Sequence, residues 1–247
     1  MELMSRPTVF FCFLLISTLN YSAPPKNFGT AKKMASQLFA GHKQTLYCQC
    51  TYDARKAIDL KSCGMESAGH IKRAQRLEWE HIVAAENFGR HFQCWREPIC
   101  MGRKPYKGRK CCQKIEPAFR EMEAELYNLW PSVGLVNGAR SNYRFAMLGQ
   151  DVPGFYGCAI KIDKKTRSVE PPGPAKGIVA RASLFVEAHY GINLSSAQKQ
   201  LFMAWNKQFP PTAWEKEWAY QVYLIEGYHN PFIEGQEDPA LTAKGTN

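Results

Sequence analysis

The chain has 247 residues, 45% of them hydrophobic and 13% aromatic, and a formal net charge of +10. That composition excludes a disordered or fibrous chain and supplies enough apolar mass for one globular domain. The cationic surplus favours a polyanion such as nucleic acid, acidic lipid or acidic polysaccharide, but it also serves solubility and by itself assigns no function.

Val9 to Ile16 is a short apolar run behind Arg6, and small or polar residues follow through Ala23 before Pro24-Pro25. This is the pattern of a secretory signal peptide over residues 1–23, with an apolar centre too short to span a bilayer. Residues 24–247 are then one exported domain, periplasmic or secreted, with no membrane segment. Of the nine cysteines, Cys12 lies in the leader. Cys48, Cys50, Cys63, Cys94, Cys100, Cys111, Cys112 and Cys158 remain, an even set that in an exported chain reads as disulfides. Nearness along the chain pairs Cys94, Cys100, Cys111 and Cys112 among themselves. A zinc site is disfavoured, because no pair of CxxC knuckles is present.

Thr30 is placed to cap a helix over Ala31–Ala40, with Ala31, Met34, Ala35, Leu38 and Phe39 on one face. Thr45–Tyr52 alternates like a strand, and Ile58–Cys63 reads as a second. In Arg76-Leu77-Glu78-Trp79-Glu80-His81 the apolar residues interleave with charged ones, which predicts a half-buried strand. Val83–Phe88 is a short helix that Gly89 stops. Arg96–Lys114 is a basic loop carrying Arg103, Lys104, Lys107, Arg109 and Lys110. Pro117 fits the first position of a helix through Leu129 that Pro131 ends. Cys158–Ile162 reads as a strand and Glu170–Gly177 as a loop or linker. Helices follow over Ile178–Tyr190, from Ser195 to Phe209, and from Thr212 to about Tyr228, the last two opening on capping boxes with Gln198 and Glu215. Trp205, Trp214 and Trp218 have core-like spacing, which makes them packing residues and not base-stacking platforms.

Glu80 and His81 join a hard oxygen donor to an imidazole that can take a proton near neutral pH. Neighbours in a regular strand face opposite ways, so the two share a site only where the strand ends or bulges. On the dipeptide alone, a surface glutamate and a hydrogen-bonded core histidine account for it better. Asn137, between Val136 and Gly138, is either a turn residue or an amide oxygen offered to a cation. The cations of the Arg96–Lys114 loop suit phosphate contacts if cysteines hold the loop in shape, and are otherwise a solvated surface.

Together these pieces resemble the endonuclease I family of periplasmic or secreted non-specific nucleases, from Phe28 to about Ile233. The stretches that carry the resemblance include Tyr47-Cys48-Gln49-Cys50, Arg76 to Val83 (RLEWEHIV), Phe88-Gly89, Gln93-Cys94-Trp95, Gly108-Arg109-Lys110, Asn128-Leu129-Trp130-Pro131, Val136-Asn137-Gly138, Ala204-Trp205-Asn206-Lys207 and His229-Asn230-Pro231-Phe232. The resemblance implies an α+β fold, mainly helical, with short antiparallel strands and a ββα-metal finger, stapled by disulfides. It implies His81 as general base, Glu80 and Asn137 as ligands of one Mg²⁺ (Mn²⁺ or Ca²⁺ substituting), and Arg109 as the phosphate-gripping arginine, with Arg103 competing for that role. Lys110, Asn128 and Arg140 are further substrate-binding candidates, Asn128 alternatively orienting a neighbour. The implied substrates are double- and single-stranded DNA and also RNA, cut by a monomer to 5′-phosphorylated oligonucleotides. The chain departs from the family at Ala84, Glu86, Ala139 and Lys216, the last where a cysteine is usual. Cys100 and Cys111 are additions, as if one disulfide had been traded for another. Two other classes stay open: an exported cationic binding protein for DNA or polysaccharide, and a zinc hydrolase with cysteine ligands.

Overall fold

The structure is a computed structural model and describes residues 24–234; the expected signal peptide lies outside them. At its centre are two short antiparallel strands, β1 (Leu77–His81) and β2 (Leu129–Val133), in the register Leu77↔Val133 to His81↔Leu129. Helix α6 (Gly134–Arg140) follows β2 directly and packs back on the pair. Strand, strand and helix make the ββα unit. Its strands are separated in sequence by α2 (Ala85–Gly89), α3 (Gln93–Arg96), α4 (Arg109–Ile115) and α5 (Pro117–Ala124). A second sheet has the order β3-β6-β5-β4, from β3 (Arg144–Phe145), β4 (Gly154–Phe155), β5 (Cys158–Asp163) and β6 (Ser168–Glu170), with β3 and β6 parallel. Helices α7 (Gly173–Tyr190), α8 (Ser196–Gln208), α9 (Ala213–Glu226) and α10 (Pro231–Glu234) close the fold, which is α+β and mainly helical.

Helix α1 (Phe28–Leu38) is capped by Asn27, whose Oδ1 accepts from Thr30 N at 3.0 Å, so Thr30 is inside the helix and not its cap. Just past its end Phe39 is buried amid the rings of Trp79, Trp130, Trp214 and Trp218 at 5.2–5.9 Å. Such edge-on and tilted contacts favour aromatic pairs beyond the area they bury. Trp205 and Trp218 are buried and Trp214 packs partly buried against the core, as their spacing indicates.

Four disulfides staple the chain: Cys48–Cys158, Cys50–Cys63, Cys94–Cys112 and Cys100–Cys111. The four cysteines around the basic loop do pair among themselves. They hold it against α4, a helix within what the sequence suggested was only loop.

Other expectations are corrected. Residues 45–52 form turns and isolated bridges, not a strand, and Leu60–Cys63 is a single 3₁₀ turn. The helix from Pro117 ends at Ala124. Glu125 leaves helical geometry (φ −55°, ψ 116°), its side chain accepts from Tyr127 N at 2.8 Å, and Tyr190 and Tyr228 donate to the same carboxylate. Pro131 lies inside β2, tolerable because each strand of a two-stranded sheet has a free edge. The stretch Glu170–Gly177 is no linker. Helix α7 begins at Gly173, with Pro174 in its first turn where the missing N–H is harmless. A Cβ on Gly177 would strike the Phe209 carbonyl at the end of α8, so this glycine serves close helix packing. Ser195 and Thr212 do cap α8 and α9. Their box partners turn elsewhere: Gln198 donates to Phe145 O, and Glu215 takes the buried Arg181 guanidinium with both oxygens at 2.6 Å.

Candidate active site

The β1 ladder stops at His81. Beyond it the His81 and Ile82 carbonyls accept from the two Nη atoms of Arg140 instead of from a strand. That termination lets Glu80 and His81, neighbours that a continuing strand would separate, line one cavity of about 250 Å³ together with Asn137, Arg109, Arg140, Glu86 and Asn142. Strand β1, helix α4 and helix α6 each contribute.

Glu80 is 1% exposed. Tyr47 donates to its Oε1 at 2.7 Å and Arg140 Nη1 lies 3.1 Å from the same atom. Both partners take Oε1, which leaves Oε2 for the cavity. Burial pushes the carboxyl up, while Arg140 and the Tyr47 hydroxyl oppose it. Asn137 is held from behind: its Nδ2 donates to Glu78 Oε2 at 3.2 Å, and Arg73 and Arg76 both grip Glu78. With the nitrogen so engaged, the amide is assigned with Oδ1 as its free end. Gly138 has a local reason. A Cβ there would overlap the Arg73 guanidinium as it now lies against α6 and would force it to shift from its place on Glu78.

His81 Nε2 lies 2.8 Å from the Glu123 carbonyl oxygen. A carbonyl only accepts, so Nε2 carries the proton and Nδ1 the lone pair. The Phe28 ring packs on the imidazole at 4.8 Å. Burial first, then the charge of Arg109, pushes the His81 pKa down to about 3, and the ring is neutral at physiological pH. Glu123 does a second task. Its buried carboxylate takes Arg109 Nε and both contacts from Gln113 Nε2, at 2.8 and 2.9 Å. Arg109 Nη2 is buried without a hydrogen-bond partner, and the guanidinium sits 5.0 Å from the Phe28 ring centroid. A pinned arginine with an unpartnered nitrogen beside a cavity is prepared for an anion.

The remaining candidates separate. Arg103 and Lys110 are exposed and line neither this cavity nor the groove beside it. Of the two competing arginines, Arg109 is the one at the cavity. Asn128 is fully buried and both ends of its amide bond Val83: Nδ2 to Val83 O at 3.0 Å and Val83 N to Oδ1 at 2.7 Å. It positions the segment after β1 and has no group left for a substrate. Arg140, a substrate-binding candidate, is 2% exposed; it braces β1 and Glu80 and lines the cavity beside them. Sequence reasoning missed Phe28, Tyr47, Glu78 and Glu123 as site residues. Tyr47 and Glu78 lie in stretches that carry the family resemblance and Phe28 stands where it begins; Glu123 has no signal of its own.

The donor set fits a hard divalent cation. It offers a carboxylate oxygen and an amide oxygen, few enough for an ion that keeps part of its water shell. Among the described residues no three of His, Cys, Asp and Glu gather as metal ligands. The eight described cysteines are all in disulfides, which removes the zinc–thiolate alternative. A larger groove of about 810 Å³ adjoins the cavity, lined by Lys32, Lys33, Lys56 and Arg73 and sharing Trp79, Arg109 and Asn137 with it.

The family model for Endonuclease I matches residues 26–237. An extracellular deoxyribonuclease of Aeromonas hydrophila is 38% identical, over 94% of this chain and 99% of its own. A periplasmic deoxyribonuclease of the same organism is 39% identical, over 90% and 92%. Endonuclease-1 of Buchnera aphidicola subsp. Baizongia pistaciae is 35% identical, over 92% and 94%. The chain belongs to the endonuclease I family.

Proposed function

We propose that this chain is an exported, metal-dependent endonuclease that hydrolyses phosphodiester bonds of DNA, and also of RNA, to 5′-phosphorylated oligonucleotides. The single observation that carries the reading is the meeting of Glu80, His81, Arg109 and Asn137, from three elements, on one cavity beside a lysine-lined groove. Relatives named as deoxyribonucleases over nearly their whole length support the substrate class and the export.

Nδ1 of His81 takes a proton from water as the water oxygen attacks phosphorus. The P–O3′ bond breaks on the opposite side, and the phosphate stays on the 5′ end of the released strand. Nε2–H, held by the Glu123 carbonyl, fixes the ring with its lone pair toward the cavity. The desolvation that keeps the ring neutral makes a base ready without prior deprotonation. Arg109 holds the phosphate with the nitrogens that Glu123 leaves free. Glu80 and Asn137 would hold one Mg²⁺, with Mn²⁺ or Ca²⁺ able to take its place. When bound, that ion supplies positive charge to the non-bridging and departing oxygens.

The test is incubation of the oxidised protein with plasmid DNA and with RNA, with Mg²⁺ and with EDTA. Degradation in Mg²⁺, arrest in EDTA and recovery on re-addition are expected. Full activity in EDTA contradicts the metal scheme. A gel shift without degradation in either condition identifies a binding protein instead.

A further inference from the structure

A third cavity, of about 320 Å³, is lined by Asn87, Arg90, Asn142, Arg144, Thr166 and Arg167. Asn142 lines both, so the two adjoin. The lysine groove adjoins the catalytic cavity through Trp79, Arg109 and Asn137. The three depressions thus form one run with the catalytic cavity between the other two.

The three arginines come from separate parts of the chain: the end of α2, strand β3 and the β5–β6 turn. Each is fixed by one nitrogen and keeps others for a ligand. Arg90 Nη2 pairs with Glu86. Arg144 Nε donates to Ser168 Oγ at 3.2 Å. Arg167 Nη2 donates to Asn142 Oδ1 at 2.7 Å, and its guanidinium lies 5.3 Å from the Tyr143 ring centroid. Glu86 is the carboxylate beside them, and its other oxygen accepts from Asn142. Asp163 stands behind Thr166, whose hydroxyl donates to it at 2.6 Å. Three guanidinium groups against these two carboxylates leave a surplus of positive charge, and the planar fork of arginine matches phosphate oxygens. Arg167 also stands in the left-handed region, φ +53°.

We propose that the three-arginine cavity is a second phosphate subsite, which holds a backbone phosphate of the same nucleic-acid strand whose scissile phosphate occupies the catalytic cavity. This rests on the nuclease reading and extends it. The strand is gripped on both sides of the cut, by lysines in one direction and arginines in the other. Affinity then depends on length, because a dinucleotide fills only the central cavity. The grip is on backbone, so it adds no base preference.

The test is fluorescence anisotropy of a labelled single strand of about 12 nucleotides, in EDTA, across a salt series. Wild type is compared with the double variant Arg144→Gln/Arg167→Gln. The variant should bind at least about tenfold more weakly at low salt. Its slope of log K against log salt should fall by about 0.7, the loss of one contacted phosphate on a single strand. Lys164→Gln/Lys165→Gln, on the same hairpin but lining none of the three cavities, should keep the wild-type slope. Equal losses in both pairs, or no loss in the arginine pair, overturn the subsite. If the arginine pair has no thermal unfolding transition, Arg90→Gln is read in the same way. The assay needs no turnover. Absent cleavage in Mg²⁺ rejects the nuclease reading while a slope change still supports the subsite; cleavage with an unchanged slope rejects the subsite alone.

Discussion

Asn128 gives both ends of its amide to the backbone of Val83, and that tie fixes how the chain leaves β1 just after His81. Asn128→Ala would leave a buried N–H and a buried carbonyl unpaired. It should destabilise the fold by about 2–4 kcal/mol, read by urea unfolding; a loss under about 0.5 kcal/mol would show that water replaces the amide. Glu80, His81 and Asn137 were legible in the sequence because a carboxylate, an imidazole and a carboxamide sat in recognisable stretches. Glu123 was not. A glutamate on an amphipathic helix reads the same whether water or an arginine faces it, and only the fold brings Arg109 and His81 to its two ends. Arg140 turns its charge inward, on Glu80 and three carbonyls.

Among elements, β1 was readable because alternation reports a half-buried strand directly. The helix from Pro117 was overextended because its apolar stripe continues through Leu126 and Leu129. What ends it is Glu125, captured by tyrosines from α7 and the end of α9, far along the chain. No local pattern contains that information. The Pro-rich start of α7 misled for a related reason: proline marks a loop and a first helical turn alike. The Cys100–Cys111 bridge closes a loop over a separation of 11 residues beside Arg109. Replacing both cysteines by serine should lower stability by about 2–3 kcal/mol and reduce kcat/KM with it. Unchanged unfolding would mean that Cys94–Cys112 holds the loop alone.

Across the whole molecule, the aromatic cluster around Phe39 ties α1, both finger strands and α9 into one core. A second buried cluster carries charge. Glu125 and Glu226 share the hydroxyl of Tyr228. Burial, with Glu125 next to it, pushes the Glu226 carboxyl up to about 8. A proton bound more tightly in the folded chain stabilises it fully below the ordinary value near 4.5, and that support is lost as pH rises through about 8. Glu226→Gln mimics the protonated form, so its melting temperature should exceed wild type at pH 9 and not at pH 5; parallel curves would contradict the raised Glu226 carboxyl. The central claim is that separate elements converge to make His81 a neutral base on a metal-assisted phosphate. Its most direct measurement is single-turnover cleavage of an end-labelled duplex by wild type and His81→Ala in Mg²⁺, with binding followed in parallel. A loss of about 10²–10⁴-fold in rate is expected for His81→Ala, with affinity retained and 5′-phosphate ends from wild type. A His81→Ala rate within about tenfold of wild type would contradict it.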